Sequence, residues 1–202
     1  VIFENSIEKV INNSDITFLV LPTPSTKFGS FTNKYINNVL IEISKIIKKK
    51  KNKHFINITS TVNPNSCKNT FIPLLEKNGL KNHKDFFIIY NPHFIAQGTT
   101  LYNLKKPDVL LIGIDHKDSK KKIIEVYKKI YKNKKIYKIL NQTEAEITKL
   151  SINSYITNKI SFANYISEIS DKLENVNAVK ILDAIGQDKR IGNSYLKYAR
   201  DS

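Results

Sequence analysis

Between Thr143 and Glu174 the chain runs 32 residues without a glycine or a proline, TEAEITKLSINSYITNKISFANYISEISDKLE. With nothing in it to break a helix, the stretch predicts one long helix of roughly 48 Å at 1.5 Å per residue. Ile152, Ile156 and Ile160 step by four along one face, and Phe162, Ile166, Ile169 and Leu173 continue on a shifted face. An apolar stripe that drifts around the cylinder predicts burial against more than one neighbour. Lys149 and Asn153, four apart, stack on one side. They form either a desolvated polar site or a lysine that snorkels to solvent beside a surface asparagine.

The segment before this helix alternates. After a helix end over residues 4–13, the run Ile16–Leu21 is continuously apolar and closed by Pro22, as a strand buried on both faces of a parallel sheet would be. Residues 33–49 carry the helical spacing Ile36, Val39, Leu40, Ile43, Ile47. His54–Ile58 reads as a second strand, with a turn over Ser60–Asn65, a short helix around Thr70–Lys77 and Gly79 ending it. Phe86–Tyr90 is a third strand and Val109–Ile114 a fourth; helix 117–132 follows, then a strand over Lys135–Leu140. The alternation predicts an α/β fold with a doubly wound, Rossmann-like parallel sheet over residues 1–140 and every strand's carboxyl end on one edge. Residues 141–202 are expected to open a mostly helical domain around the long helix, with a further helix over Asn177–Ile185.

The net charge of +15 raises the question of nucleic acid. Its source argues against that partner. Only Arg190 and Arg200 are arginines, so 31 of the 33 basic residues are lysines. Sites that grip phosphate or read bases draw on the planar fork of arginine. No apolar run approaches the ~18 residues of a membrane span, and no signal peptide is visible. One cysteine, Cys67, fits a reducing cytoplasm. No metal is expected. Neither a membrane nor nucleic acid is an expected partner.

Three strands end in polar motifs that the fold gathers on one edge: Pro22-Thr23-Pro24-Ser25, Thr59-Ser60-Thr61-Val62 and Asn91-Pro92-His93-Phe94. Ligands of open α/β sheets bind there, and small hydroxyl residues can bond a nucleotide or hold a water; turns favour the same residues. None of the six glycines forms a GxGxxG phosphate loop. Cys67 stands at a polar turn or helix start and is a candidate reactive thiol by the helix-dipole argument, with no histidine near it in sequence.

Taken in order, SDITFLVLPTPS, INITSTVNPNS, NPHFIAQGTTLYNLKKPDVLLIG, AEITKLSINSYITNKISFANYISEI and GQDKRIGNSYLK resemble the UDP-glucose/GDP-mannose dehydrogenase family over nearly the whole chain. The resemblance implies the second part of an NAD-binding domain joined to the start of a central, dimer-forming domain. It implies oxidation of the C6 alcohol of a nucleotide sugar, such as UDP-glucose, to a carboxylate with two NAD in succession, in the cytoplasm, for polysaccharide precursors. By resemblance, Pro22, Thr23, Pro24, Ser60, Thr61, Val62 and Gln97 would contact NAD, and Thr61 would help hold the catalytic water. Lys149 and Asn153 would polarise the developing oxyanion and bind substrate, with His93, Phe94, Ile95 and Gln97 lining the sugar. Arg190 and Lys197 would reach the nucleotide sugar of the partner subunit, in a homodimer built through the long helix.

The departures are specific. His93 and Gln97 stand where the family carries glutamates, Thr32 where aspartate is usual, and Val109 where arginine is usual. A histidine can still serve as a base near neutral pH. The glycine-rich segment with the nucleophilic cysteine does not follow Lys197, and Cys67 does not match its position. The chain therefore reads as a fragment not expected to turn over alone. The alternative is a non-catalytic nucleotide-sugar-binding paralogue or assembly partner.

Overall fold

The structure, a computed structural model, describes residues 2–94, 98, 100–131 and 137–196. The described chain forms two compact units that divide between Lys149 and Leu150, inside the long helix.

The first unit is a five-stranded sheet in sequential order: β1 (Ile16–Leu19), β2 (His54–Ile58), β3 (Phe86–Tyr90), β4 (Leu110–Gly113) and β5 (Tyr137–Leu140). Helices α1 (Ile7–Asn12), α2 (Lys34–Ile47), α3 (Ile72–Lys77), α4 (Thr100–Lys105) and α5 (Lys117–Tyr131) join the strands, and α6 (Gln142–Ser170) leaves the sheet after β5. Every residue of β2 and β3 is buried; β3 is accordingly apolar throughout, while β2 also buries the polar His54 and Asn57. Ile56, Ile58, Ile88 and Tyr90 face a core closed by Ile36, Leu40 and Ile43 of α2 and Leu75 of α3. Phe55, Phe87, Ile89 and Ile112 face the opposite core, closed by Ile123 and Tyr127 of α5. Burying each such side chain is worth about 1.5–3 kcal/mol, so this double-sided packing is what holds the sheet.

The sheet is not parallel throughout. β1, β2 and β3 run together, but β4 pairs antiparallel with β3 through Tyr90 and Gly113, and β5 follows β4. The expectation that all carboxyl ends share one edge is therefore corrected for β4 and β5. Helix α4 buries none of its residues, so it cannot act as the crossover that returns the chain for a parallel strand. Strand β1 also stops earlier than expected, at Leu19, because the hydroxyl of Ser60 takes both backbone groups of Leu21. Before α3 the helix is wound as a π turn over Cys67–Phe71. Pro73, which has no N–H to give, sits in the first turn of α3.

His54 lies fully buried at the start of β2, its Nε2 2.9 Å from Thr17 Oγ1 and its Nδ1 3.2 Å from Lys50 Nζ. The Lys50 ammonium also donates to the carbonyls of Ile11 and Ser14 behind α1. An ammonium can only donate, so Nδ1 is the acceptor and Nε2 carries the proton. Burial, with the Lys50 charge adding to it, pushes this imidazole down to about 4. Because that lies below the value of about 6.5 in the unfolded chain, the stabilisation is complete above pH 6.5 and is lost as pH falls through 4. Urea titrations are expected to show stability falling by on the order of 2 kcal/mol across that window, with a smaller fall in a His54→Phe variant.

The second unit contains the rest of α6 and α7 (Ala178–Gln187). The expected helix to Glu174 ends at Ser170, and residues 172 and 173 tighten to i−3 hydrogen bonds ahead of Asn175, which has φ 59°. The buried positions of this part of α6 are Ala163, Ser167 and Ser170, while Phe162, Tyr165 and Ile169 are exposed. Along the expected stripe Ile152 and Leu173 are likewise exposed, while Ile156, Ile160 and Ile166 are half-buried in the single chain. Lys159 Nζ donates to the carbonyls of Ile191 and Gly192, pinning the turn after α7. Among the described residues no helix is long and apolar enough to cross a membrane.

Candidate functional site

Leu19, Ile58 and Tyr90 align across β1, β2 and β3, so the three polar motifs leave the sheet from one edge. Their hydroxyls mostly brace loop against loop. Ser60 Oγ accepts from Leu21 N at 3.0 Å and donates to Leu21 O at 2.6 Å, imitating a strand partner. Thr23 Oγ1 donates to Thr61 O at 2.7 Å. Asn63 pairs in the same two-way manner with Phe31, at 3.1 and 2.7 Å. Asn91 donates to Leu111 O at 2.7 Å and accepts from the Tyr127 hydroxyl, locking the end of β3 to β4 and α5. Val62 is fully buried under this rim and Pro22 and Pro24 are exposed on it. The Thr61 hydroxyl makes no hydrogen bond among the described residues and remains able to take one from a ligand.

The first two turns of α6 complete the site. Gln142, Ala145, Glu146 and Lys149, at i, i+3, i+4 and i+7, are all buried. Gln142 Nε2 donates to Ile88 O inside the sheet at 2.9 Å. Glu146 accepts the N–H of Asn65 at 2.6 Å and that of Cys67 at 2.8 Å. Lys149 is only 7% exposed; its Nζ donates to His93 O at 2.8 Å and lies 4.4 Å from the centroid of the Phe94 ring. No carboxylate pairs with Lys149 among the described residues. Its charge is met by a carbonyl dipole and an aromatic face, and burial pulls the ammonium below its usual range. This is the desolvated alternative, not the snorkelling one.

His93 is half-buried, and burial together with the Lys149 charge lowers its proton affinity. At neutral pH it is an uncharged imidazole beside an ammonium. Replacing Lys149 by Met is expected to move the His93 titration back up toward its ordinary value, as read from the imidazole C2 proton by NMR. An unmoved titration would show that the two do not sense each other.

The remaining candidate residues fall into three groups. Cys67 is wholly buried, and burial followed by the Glu146 carboxylate pushes its thiol well above the usual range. The possibility of a reactive thiol here, already weakened by the lack of a nearby histidine in sequence, finds no support: the thiolate form that reacts is suppressed. Asn153, one turn beyond Lys149, belongs to the second unit and is exposed. Arg190, also in the second unit, is exposed and holds Asp188 through Nη2 at 2.6 Å. Ile95, Gln97 and Lys197 lie outside the described residues. Glu146 and Gln142 are not among the residues the sequence singles out, where the polar spacing from Lys149 runs forward to Asn153 and not back toward the start of α6. The signal was there in Gln142-x-x-Ala145-Glu146-x-x-Lys149, a helical stripe of polar residues around one small one.

A family model described as the UDP-glucose/GDP-mannose dehydrogenase family, NAD binding domain, matches residues 1–131, nearly two thirds of the chain. The chain belongs to this family. A second model, the central domain of the same family, matches residues 143–199. The chain is similar to the UDP-glucose 6-dehydrogenase of Rickettsia prowazekii, 28% identical over 194 residues that cover 96% of this chain and 43% of the relative. Among solved structures it resembles a UDP-glucose dehydrogenase from the hyperthermophilic archaeon Pyrobaculum islandicum, at TM-score 0.88 and 28% identity over 97% of this chain and 44% of that one. It resembles a ternary complex of GDP-mannose dehydrogenase from Pseudomonas aeruginosa at TM-score 0.81 and 31% identity, over 90% of this chain and 41% of that one. The chain thus spans less than half the length of the family members it matches. NAD is the cofactor of the family's first domain.

Proposed function

We propose that the chain is part of an NAD-dependent nucleotide-sugar 6-dehydrogenase of the UDP-glucose to UDP-glucuronate type. The observation that carries the reading is Lys149: a buried ammonium with no counter-ion among the described residues, held beside the loop ends of three parallel strands. The rim suits a dinucleotide, since its loops are braced by their own hydroxyls and Thr61 keeps a free one. Bound NAD+ supplies the hydride acceptor.

The residues divide the remaining work. Pro22, Thr23, Pro24, Ser60, Val62 and Gln97 shape the cofactor side. Thr61 holds the water whose oxygen enters the carboxylate. Lys149 donates to the oxygen on C6 as negative charge grows there, where a fixed donor in a dry site acts most strongly. His93, neutral at pH 7, accepts a proton from the sugar hydroxyl or the attacking water. Phe94, Ile95 and Asn153 line or bind the sugar, and Arg190 and Lys197 reach the nucleotide of a partner subunit. In total the alcohol carbon surrenders two hydrides to two NAD+, gains one oxygen from water and releases three protons. The exposed Phe162, Tyr165 and Ile169 on α6 support a homodimer through that helix. We assign residues 1–140 to the NAD-binding domain and 141–202 to the central domain of a cytoplasmic enzyme.

The test is NADH formation at 340 nm by the complete natural polypeptide, supplied in turn with UDP-glucose, GDP-mannose and the N-acetylated nucleotide sugars. A sustained rise in absorbance with UDP-glucose is the expected result. A second reading, a non-catalytic nucleotide-sugar-binding protein, is favoured by His93 and Gln97 in place of glutamates. Thermal stabilisation by a nucleotide sugar with no absorbance change would select it.

A further inference from the structure

Glu146 is the most deeply buried carboxylate beside the rim, yet it pairs with no cation among the described residues: Lys149, three residues on, bonds elsewhere. Each of its two oxygens accepts a backbone N–H, and the Cys67 thiol also bonds the carboxylate. Oε2 accepts from Asn65 N at 2.6 Å and Oε1 from Cys67 N at 2.8 Å, across 81 and 79 residues of sequence. The N–H of Ser66 also favours its charged form, which opposes the effect of burial. These three amides open the helical segment after β2, where a carboxylate is well placed against free N–H groups.

The clamped loop is the one that carries Ser60, Thr61 and Val62. From its start it is held at alternate points: Ser60 to Leu21, Thr61 O to Thr23, Asn63 to Phe31, then Asn65 and Cys67 to Glu146. Asn65 has φ 65°, a left-handed conformation that costs energy in any residue but glycine and persists where its surroundings over-determine it. Thr143 Oγ1, in the first turn of α6, adds a third hold by donating to Asn65 Oδ1 at 2.9 Å. Stability alone would be served as well by an apolar side chain packed at the same place, because burying a carboxylate is costly even when it is fully bonded. What a directional double acceptor adds is position.

We propose that Glu146 is a positioning residue of the site: it fixes the loop bearing Thr61 to the same face of α6 that presents Lys149. The cofactor side and the oxyanion donor are thereby set against each other by one buried side chain. The inference rests on the functional reading above, and its test separates the two.

Glu146→Gln keeps the shape but turns one acceptor into a donor facing an N–H. In the complete natural polypeptide, amides 65–67 are expected to exchange at least tenfold faster in the variant, with amides 86–90 of β3 unchanged. The KM for NAD+ is expected to rise about tenfold while that for the nucleotide sugar stays within twofold. Faster exchange across the whole unit, or a loosened loop with an unchanged KM for NAD+, would overturn the proposal. A wild-type protein that binds no NAD+ would defeat the functional reading instead. The clamp would then be judged by exchange alone, and equal loop protection in both proteins would overturn it.

Discussion

Replacing Lys149 by alanine is expected to lower kcat of the complete enzyme by two to three orders of magnitude, about 3–4 kcal/mol of barrier. The argument is electrostatic. An ammonium that has lost most of its water and, among the described residues, meets a carbonyl and a ring face in place of a carboxylate is poorly compensated in the resting site. A full negative charge on the substrate oxygen compensates it, and that charge exists only as the reaction proceeds. The interaction is therefore stronger in the transition state than in the ground state, and the loss should appear in kcat more than in KM. The same reasoning predicts the opposite sign for stability. Lys149→Met removes a buried charge and keeps an apolar stem against Phe94, so its unfolding midpoint should equal or exceed that of the wild type. A loss in kcat of less than tenfold, or a marked loss of stability in the Met variant, would show that Lys149 only packs the loop.

The strands at the centre of the sheet were legible to the residue. His54–Ile58 and Phe86–Tyr90 are buried on both faces, so their largely apolar segments, interrupted only by His54 and Asn57, coincide with the strands. The direction of β4 was not legible, because an apolar run looks alike read from either end. Deciding it required knowing that α4 buries nothing against the sheet. At the site, the resemblance pointed to Lys149, and helical spacing placed it beside a polar neighbour. The neighbour that bonds the loop, however, is Glu146, three residues earlier rather than four later. No local pattern could show that, since its partners Asn65 and Cys67 are brought to it only by the fold. For the same reason the apolar stripe of α6 left its neighbours open: periodicity shows that a helix has a face, not whether its own chain or another covers it, and Phe162 and Ile169 are exposed in the single chain.

Gly113 is where the sheet and the site meet, and Gly113→Val is expected to destabilise the first unit by ~3 kcal/mol or lose its fold. The glycine ends β4 directly beneath the start of α6. A Cβ there would stand 2.8 Å from the Ala145 Cβ and 3.0 Å from the Gln142 Cα. The second of these is backbone and has no rotamer by which to escape, so the helix itself must lift. Lifting it would break the buried bond from Gln142 Nε2 to Ile88 O and drag Glu146 and Lys149 away from the loops they hold. Gly113→Ala is the gentler probe, expected to cost 1–3 kcal/mol in urea titrations. Combining it with Ala145→Gly removes the nearest clash but leaves Gln142, so the double variant should recover part of the loss and show a favourable coupling of ~0.5–1 kcal/mol. If Gly113→Ala is neutral and uncoupled from position 145, then α6 does not rest on β4 this closely, and the geometry assigned to Lys149 loses its support.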